Sequence, residues 1–209
     1  MFLEGNVNST ILQGSICYGG NSSNMAMIVQ RRGNSYFSKT NITNCVSSIA
    51  TCFYSEEVGS TTNVSFCNFE KLEASQFTIT VFSSCPGIIE KCNYINNSQK
   101  NTDWGLVSVM LKKRHDILDS SFQNNLKDVP LFATRYGGDI SIIRCYADKF
   151  TTIGLVDTSE MTTNSFINEI EIYITSPCEE KLIMQNQDKK DSIFKKLKFI
   201  ALIMLFKSK

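Results

Sequence analysis

Two registers recur along this chain with a shared, drifting period of about 25 residues. The first sets a β-branched aliphatic residue three positions before a small one. It runs Ile42/Cys45, Val64/Cys67, Ile89/Cys92, Ile117/Ser120 and Ile142/Cys145, at intervals of 22, 25, 28 and 25 residues. Two positions after each small residue stand Ser47, Phe69, Tyr94, Phe122 and Ala147, which an extended strand turns to the same face. The second register is a series of apolar runs: MAMIVQ from Met25, IATCFY from Ile49, FTITVF from Phe77, LVSVML from Leu106, VPLFAT from Val129 and IGLV from Ile153. Polar or glycine-bearing breaks follow each run, among them Arg31-Arg-Gly-Asn34, Lys112-Lys-Arg-His-Asp116 and Arg135-Tyr-Gly-Gly-Asp139.

Runs of four to six residues are of strand length and too short for typical helices. A unit of about 25 residues cannot bury its own apolar face, whereas stacked units can, each strand pairing in parallel with its counterpart one repeat later. The chain is therefore expected to be all-β, a right-handed single-stranded parallel β-helix of about six coils ending in a short helical or disordered tail. Tight left-handed coils keep a hexapeptide period, and leucine-rich repeats need a Leu-x-x-Leu-x-Leu core; neither pattern is present. Abundant Phe, Ile, Val, Thr, Ser and Asn, with only 3 prolines, agree with β structure. The expected organisation is an N-terminal coil or cap over 1–24, the β-helix over 25–176, a charged linker over 177–192 and a basic, apolar tail over 193–209. One point stays open: Ile and Cys three apart face opposite ways on a continuous strand, so a corner, a bulge or an outward side chain intervenes. Near the end, Glu169-Ile-Glu-Ile-Tyr-Ile-Thr175 alternates strictly and reads as a half-exposed strand.

With 21 basic and 20 acidic residues the chain has no global positive field, so nucleic acid is not an expected partner. Eight cysteines occur without any Cys-x-x-Cys pair, and the single histidine, His115, falls in a basic run read as a turn. A zinc site, a catalytic thiol and a cofactor are accordingly not expected. Cys45, Cys67, Cys92 and Cys145 are expected to form a ladder inside the coils, as buried free thiols in preference to disulfides. Cys45–Cys67 and Cys67–Cys92 are the pairs near enough if bonds form. Sequons at Asn8, Asn21, Asn41, Asn63 and Asn96 are candidate N-glycosylation sites. The first residues show no charged segment followed by an apolar one. At the other end Phe199–Phe206 is apolar and flanked by lysines. Eight such residues are too few to cross a bilayer core that takes about 20. That tail reads equally as a membrane element, either a truncated anchor or a basic interfacial segment, and as a frayed apolar tail or end cap.

Ile88-Ile-Glu-Lys-Cys-Asn-Tyr-Ile-Asn-Asn97 resembles the coil repeats of right-handed β-helices in the pectate-lyase-like superfamily. It is similar, more narrowly, to the cysteine- and asparagine-rich surface β-helix proteins of trichomonad parasites, over roughly residues 25–175. Enzymes of that superfamily cleave acidic polysaccharides. The resemblance to its hydrolases implies an Asn-Thr-Asp segment, an Asp-Asp pair and a Gly-His-Gly, of which this chain has only Asn101-Thr-Asp103. Resemblance to its lyases implies carboxylates for calcium and an arginine base; Asp116, Asp119, Asp139 and Asp148 with Arg114, Arg135 and Arg144 are the counterparts, read here as solvated turn charges. No catalytic residue and no metal ligand is assigned. Trp104, Asp103 and Tyr136 are candidate glycan contacts. The expected function is a non-enzymatic β-helix, secreted or at the cell surface, acting in structure, adhesion or glycan contact. Its expected partners are host-cell or extracellular glycans and proteins; it is expected to be monomeric, with membrane contact through 193–209. The alternatives are a lyase or hydrolase with a degenerate site, and an inactive piece of a longer surface protein.

Overall fold

The computed structural model describes residues 33–170, except 49, 57–60, 76–77, 84 and 126–127, together with the strands of the first 32 residues. The expected linker 177–192, the tail 193–209, Cys178 and the sequon at Asn8 lie outside the described residues. Within them 24 short strands form four parallel sheets. Sheet A stacks Phe2–Leu3, Ala26–Gln30, Ala50–Glu56, Thr78–Ser83, Val107–Met110, Phe132–Arg135 and Thr152–Ile153. Sheet B stacks Ser9–Gln13, Asn34–Ser38, Thr62–Ser65, Gly87–Glu90, Arg114–Leu118, Asp139–Ile143 and Leu155–Glu160. Sheet C holds Ile16–Tyr18, Asn41–Thr43, Asn68–Glu70, Asn93–Ile95, Ser121–Gln123 and Tyr146–Ala147; sheet D holds Asn21–Ser22, Val46–Ser47, Glu73–Ala74 and Ser98–Gln99.

Each coil thus lays one strand in each sheet before rising to the next. Four coils carry all four strands, two more lack the sheet D strand, and the last reaches only sheets A and B. About six repeats were expected; the complete coils are four. After Gln99 the fourth side becomes a turn over Thr102–Asp103, where Asn101 Oδ1 accepts from Asp103 N at 2.8 Å. The apolar runs from Met25 to Val129 coincide with sheet A. The run from Ile153 does not, because it bends at Gly154 from sheet A into sheet B.

Parallel stacking places like residues over like. Phe37, Val64, Ile89, Ile117 and Ile142 form one inward column of sheet B. Ile42, Phe69, Tyr94 and Phe122 form the matching column of sheet C. The rings in that column lie 4.7 Å (Phe69–Tyr94) and 4.9 Å (Tyr94–Phe122) apart. Burying each such side chain contributes roughly 1.5–3 kcal/mol, so these columns hold much of the fold's stability.

The Ile-x-x-Cys spacing is resolved as a corner. Lys39, Phe66, Lys91, Asp119 and Arg144, at φ between 46° and 53°, turn the chain from sheet B to sheet C. That left-handed residue points both the aliphatic residue before it and the small residue after it inward. The small residue then caps the corner by donating to the carbonyl two positions back. Thr40 does so to Ser38 (3.1 Å), Cys67 to Ser65 (3.2 Å), Cys92 to Glu90 (3.3 Å), Ser120 to Leu118 (2.9 Å) and Cys145 to Ile143 (3.4 Å). Cys, Ser and Thr are interchangeable here because each supplies a short donor that fits inside the coil.

The same device recurs at the corner from sheet C to sheet D, and there the expected ladder breaks. Cys45 follows Asn44 at this second corner, with its thiol on Thr43 O at 3.3 Å, and stands in register with Leu72. The residue level with Cys67 is Thr40, so the ladder reads Thr40, Cys67, Cys92, Ser120, Cys145. The expected interval of 22 arose from stepping between two corners; in register the coil-to-coil separations are 27, 25, 28 and 25. Cys45 and Cys67 are therefore not neighbours for a disulfide. Cys45, Cys52, Cys67, Cys85, Cys92 and Cys145 are all buried, and none of the six is in a disulfide. Higher up, the second corner is held by amides. Asn97 Oδ1 accepts from Leu72 N (2.9 Å), its Nδ2 donates to Phe69 O (2.9 Å), and Asn125 repeats the pattern on Asn97 N (3.0 Å) and Tyr94 O (2.9 Å).

Left-handed backbone disfavours residues other than Gly, Asn and Asp by about 1 kcal/mol or more. Lys71, at φ 54° on the second corner, is exposed and pairs with Glu70 at 2.8 Å. Lys71→Asn is expected to stabilise the chain by about 0.5–1 kcal/mol in urea unfolding. A loss of stability would show that the side-chain contact outweighs the backbone term.

After its last strand the chain turns back over the outer face of sheet C. Thr162 N bonds Cys145 O at 2.9 Å, Phe166 O accepts from Ser121 Oγ at 2.5 Å and Gln123 Nε2 at 2.7 Å, and Asn168 exchanges two 2.9 Å bonds with the Asn93 amide. Glu169 and Ile170 carry no strand pairing, which corrects the expected strand at its start; 171–175 lie outside the described residues. Among the described residues the strap bonds over sheet C at coils four to six and not over the strands of sheet B.

Candidate surface sites

Sheet B turns two columns of side chains outward. The first runs Tyr36, Asn63, Ile88, Asp116, Ser141; the second runs Ser38, Ser65, Glu90, Leu118. Tyr36 and Ile88 are large and exposed, while Asn63 between them is short. Two coil rises, roughly 9–10 Å, separate the two flanking residues. The result is a slot of about 250 Å³ lined by Tyr36, Ser38, Asn63, Ser65, Ile88 and Glu90. It offers a phenol ring, a side-chain amide, two hydroxyls and a carboxylate within one small concavity. At its rim Phe66 lies under Lys91, whose Nζ sits 5.2 Å from the ring centre and 3.8 Å from Glu90. None of these residues except Asn63 stands out in the sequence; alternation about the buried Phe37, Val64 and Ile89 is the signal that places them.

The three candidate glycan contacts are placed differently. Trp104 and Asp103 come together with Arg135, whose guanidinium lies 5.2 Å over the indole and whose Nη2 donates to Asp103 O. One face of the indole is therefore occupied. Tyr136 is 70% exposed at the next corner, where φ is 54°.

The carboxylates and arginines of the lyase-like set sit on neighbouring coils, and all but Asp139 engage one another or the backbone through bonds of the described residues. Arg144 grips Asp119 through two 2.8 Å bonds, which hold that carboxyl below the usual range. Arg114 Nε reaches Asp116 at 3.0 Å, and Asp148 caps Asn124 N and Lys149 N at 2.8 Å each. Among the described residues no group of three or more His, Cys, Asp or Glu is placed to hold a metal ion. Burial pushes the Cys145 thiol up to about 12 and the Cys92 thiol well above its ordinary value, so both are protonated at neutral pH.

His115 departs from its expected place in a turn. The turn is Leu111–Lys112 and the strand begins at Arg114, so the imidazole faces inward, fully buried and stacked on Phe82 at 4.2 Å. Neither ring nitrogen has a hydrogen-bond partner, and desolvation lowers its pKa to about 3. Of the sequons, Asn96 is exposed at a corner, Asn41 and Asn63 are half-buried on strands, and Asn21 lies on a strand whose side chains are outside the described residues.

Compared with protein-family models, with curated proteins and with solved structures, the chain matches none. The parallel stacking of short strands stands, while no match supports the resemblance to the pectate-lyase-like superfamily or to trichomonad surface proteins.

Proposed function

We propose that this β-solenoid is a non-enzymatic binding module that contacts carbohydrate through the open face of sheet B, on a cell surface or outside the cell. The slot between Tyr36 and Ile88 carries the reading. An aromatic ring suits the C–H face of a sugar, while Asn63, Ser38, Ser65 and Glu90 match its hydroxyls, and the span of two coil rises suits a single ring. The mutual pairing of Asp119 with Arg144 and of Asp116 with Arg114 supports a structural role for the charges that the lyase alternative would need for chemistry.

The test is a glycan array with the purified chain, followed by titration of any hit. Tyr36→Ala is expected to weaken binding about tenfold, an effect of the size that losing one stacked ring produces. Absence of binding across the array, or an unchanged affinity in Tyr36→Ala and Asn63→Ala, would rule the slot out.

A further inference from the structure

We propose that the corner joining sheets A and B on the last three coils is a docking ridge for a bilayer displaying anionic phospholipid headgroups. This ridge is separate from the slot and does not depend on it. Tight turns build it: Leu111–Lys112 at φ 63° and 55°, Tyr136–Gly137 at 54° and 80°, and Gly154 at 82°. The turns stack directly, since a Cβ on Gly137 would meet Lys112 Cγ at 3.0 Å. They thrust three large apolar side chains outward on successive coils: Leu111 at 44%, Tyr136 at 70% and Leu155 at 63% exposure. Tyr136 and Leu155 are the two most exposed large hydrophobic residues among those described.

Cations frame this apolar row. Lys71, Lys91, Lys100, Arg114 and Arg144 each face a carboxylate within 3.8 Å, but among the described residues Lys112 and Lys113 face none. Arg135 adds a third charge, held by Asp103 O and the Trp104 ring, with its Nε unpartnered. Asp103 borders Arg135, and Asp116, Asp139 and Asp157 act on Arg114 on the sheet B side. Unpaired lysines beside exposed leucines and a tyrosine match the layering of a membrane interface. There phosphates meet lysine, an amphipathic ring sits at headgroup depth and aliphatic tips enter the acyl boundary. A convex ridge with aliphatic tips offers a sugar few hydrogen bonds. Two free lysines on a chain of net charge +1 fall short of a nucleic-acid footprint.

The chain's one tryptophan, Trp104, lies against Arg135, the cation beside Tyr136, and so reports on the side of sheet A that leads into this corner. The full chain is mixed with vesicles of phosphatidylcholine alone, or with about one third phosphatidylserine, carrying bromine-labelled acyl chains. Quenching of Trp104 is expected only with phosphatidylserine present, and is expected to fade in about 1 M salt. Each lysine near such a surface raises partitioning about fivefold, so Lys112→Glu with Lys113→Glu is expected to lower it at least twentyfold or so. Leu111→Asn with Tyr136→Asn suits the left-handed backbone, so the fold is retained, and is expected to abolish quenching. Vesicles that sediment the protein without quenching Trp104 would assign binding to the basic tail and overturn the ridge. Quenching that the variants leave unchanged would overturn it too, as would equal capture of Trp104 by a soluble sulfated oligosaccharide.

Discussion

Lowering the pH from 7 to 4 is expected to cost the folded chain about 3 kcal/mol through His115 alone. The imidazole is fully buried, stacked on Phe82, and has no partner for a proton on either nitrogen. Its pKa falls from 6.5 in an unfolded chain to about 3 in the fold. Between those values the unfolded state binds the extra proton, so stability falls as pH drops through 6.5 and levels off near 3. The comparison is urea unfolding at pH 7, 5 and 4 against His115→Leu, which keeps the surface carboxylates and removes the titration. The gap between the two should widen by about 3 kcal/mol toward acid, and parallel curves would refute the assignment. At pH 7 the variant is expected to be the more stable, because the neutral ring still buries an unpaired N–H.

Gly105→Ala is expected to destabilise the chain by roughly 3 kcal/mol or more, the upper range for overpacking. A Cβ there would lie 2.4 Å from Ala133 N, 2.6 Å from Phe132 C and 2.9 Å from Phe132 Cα. All three are backbone atoms of the next coil, so no rotamer change relieves the clash; the coils themselves must part. Trp104 is the adjacent residue, and its fluorescence in a denaturant titration reads the loss directly. A midpoint shift equivalent to less than about 1 kcal/mol would mean that the two coils are less tightly apposed than these distances state.

The fold was legible in the sequence wherever period and chemistry coincided. The runs from Met25 to Val129 mark sheet A because its strands bury Ile28, Cys52, Ile79, Phe82, Val107, Val109 and Phe132, and Phe69, Tyr94 and Phe122 mark sheet C because they stack as buried rings in register. The register failed at Cys45 for a physical reason. Two successive corners use the same left-handed turn and the same short donor, so Ile42-x-x-Cys45 imitates Val64-x-x-Cys67 one corner out of phase. Thr40, which belongs in the column, hid behind its different side chain. His115 was misread because its neighbours Lys112, Lys113 and Arg114 are charged, and period-2 burial over so short a strand is easily lost among them. The slot was invisible for a further reason: Tyr36, Asn63 and Ile88 stand 27 and 25 residues apart and meet only once the coils are stacked in register.

The strap over sheet C changes what kind of object the stack is. Most bonds between coils join residues about one or two repeats apart, whereas Asn168 ties to Asn93 across 75 positions and to Asp119 across 49. A bare solenoid behaves as a one-dimensional chain of nearest neighbours, free to fray from its last rung inward. With Thr162, Phe166 and Asn168 clasped to three different coils, the last rungs cannot leave singly, and the terminal end opens as one cooperative block or not at all.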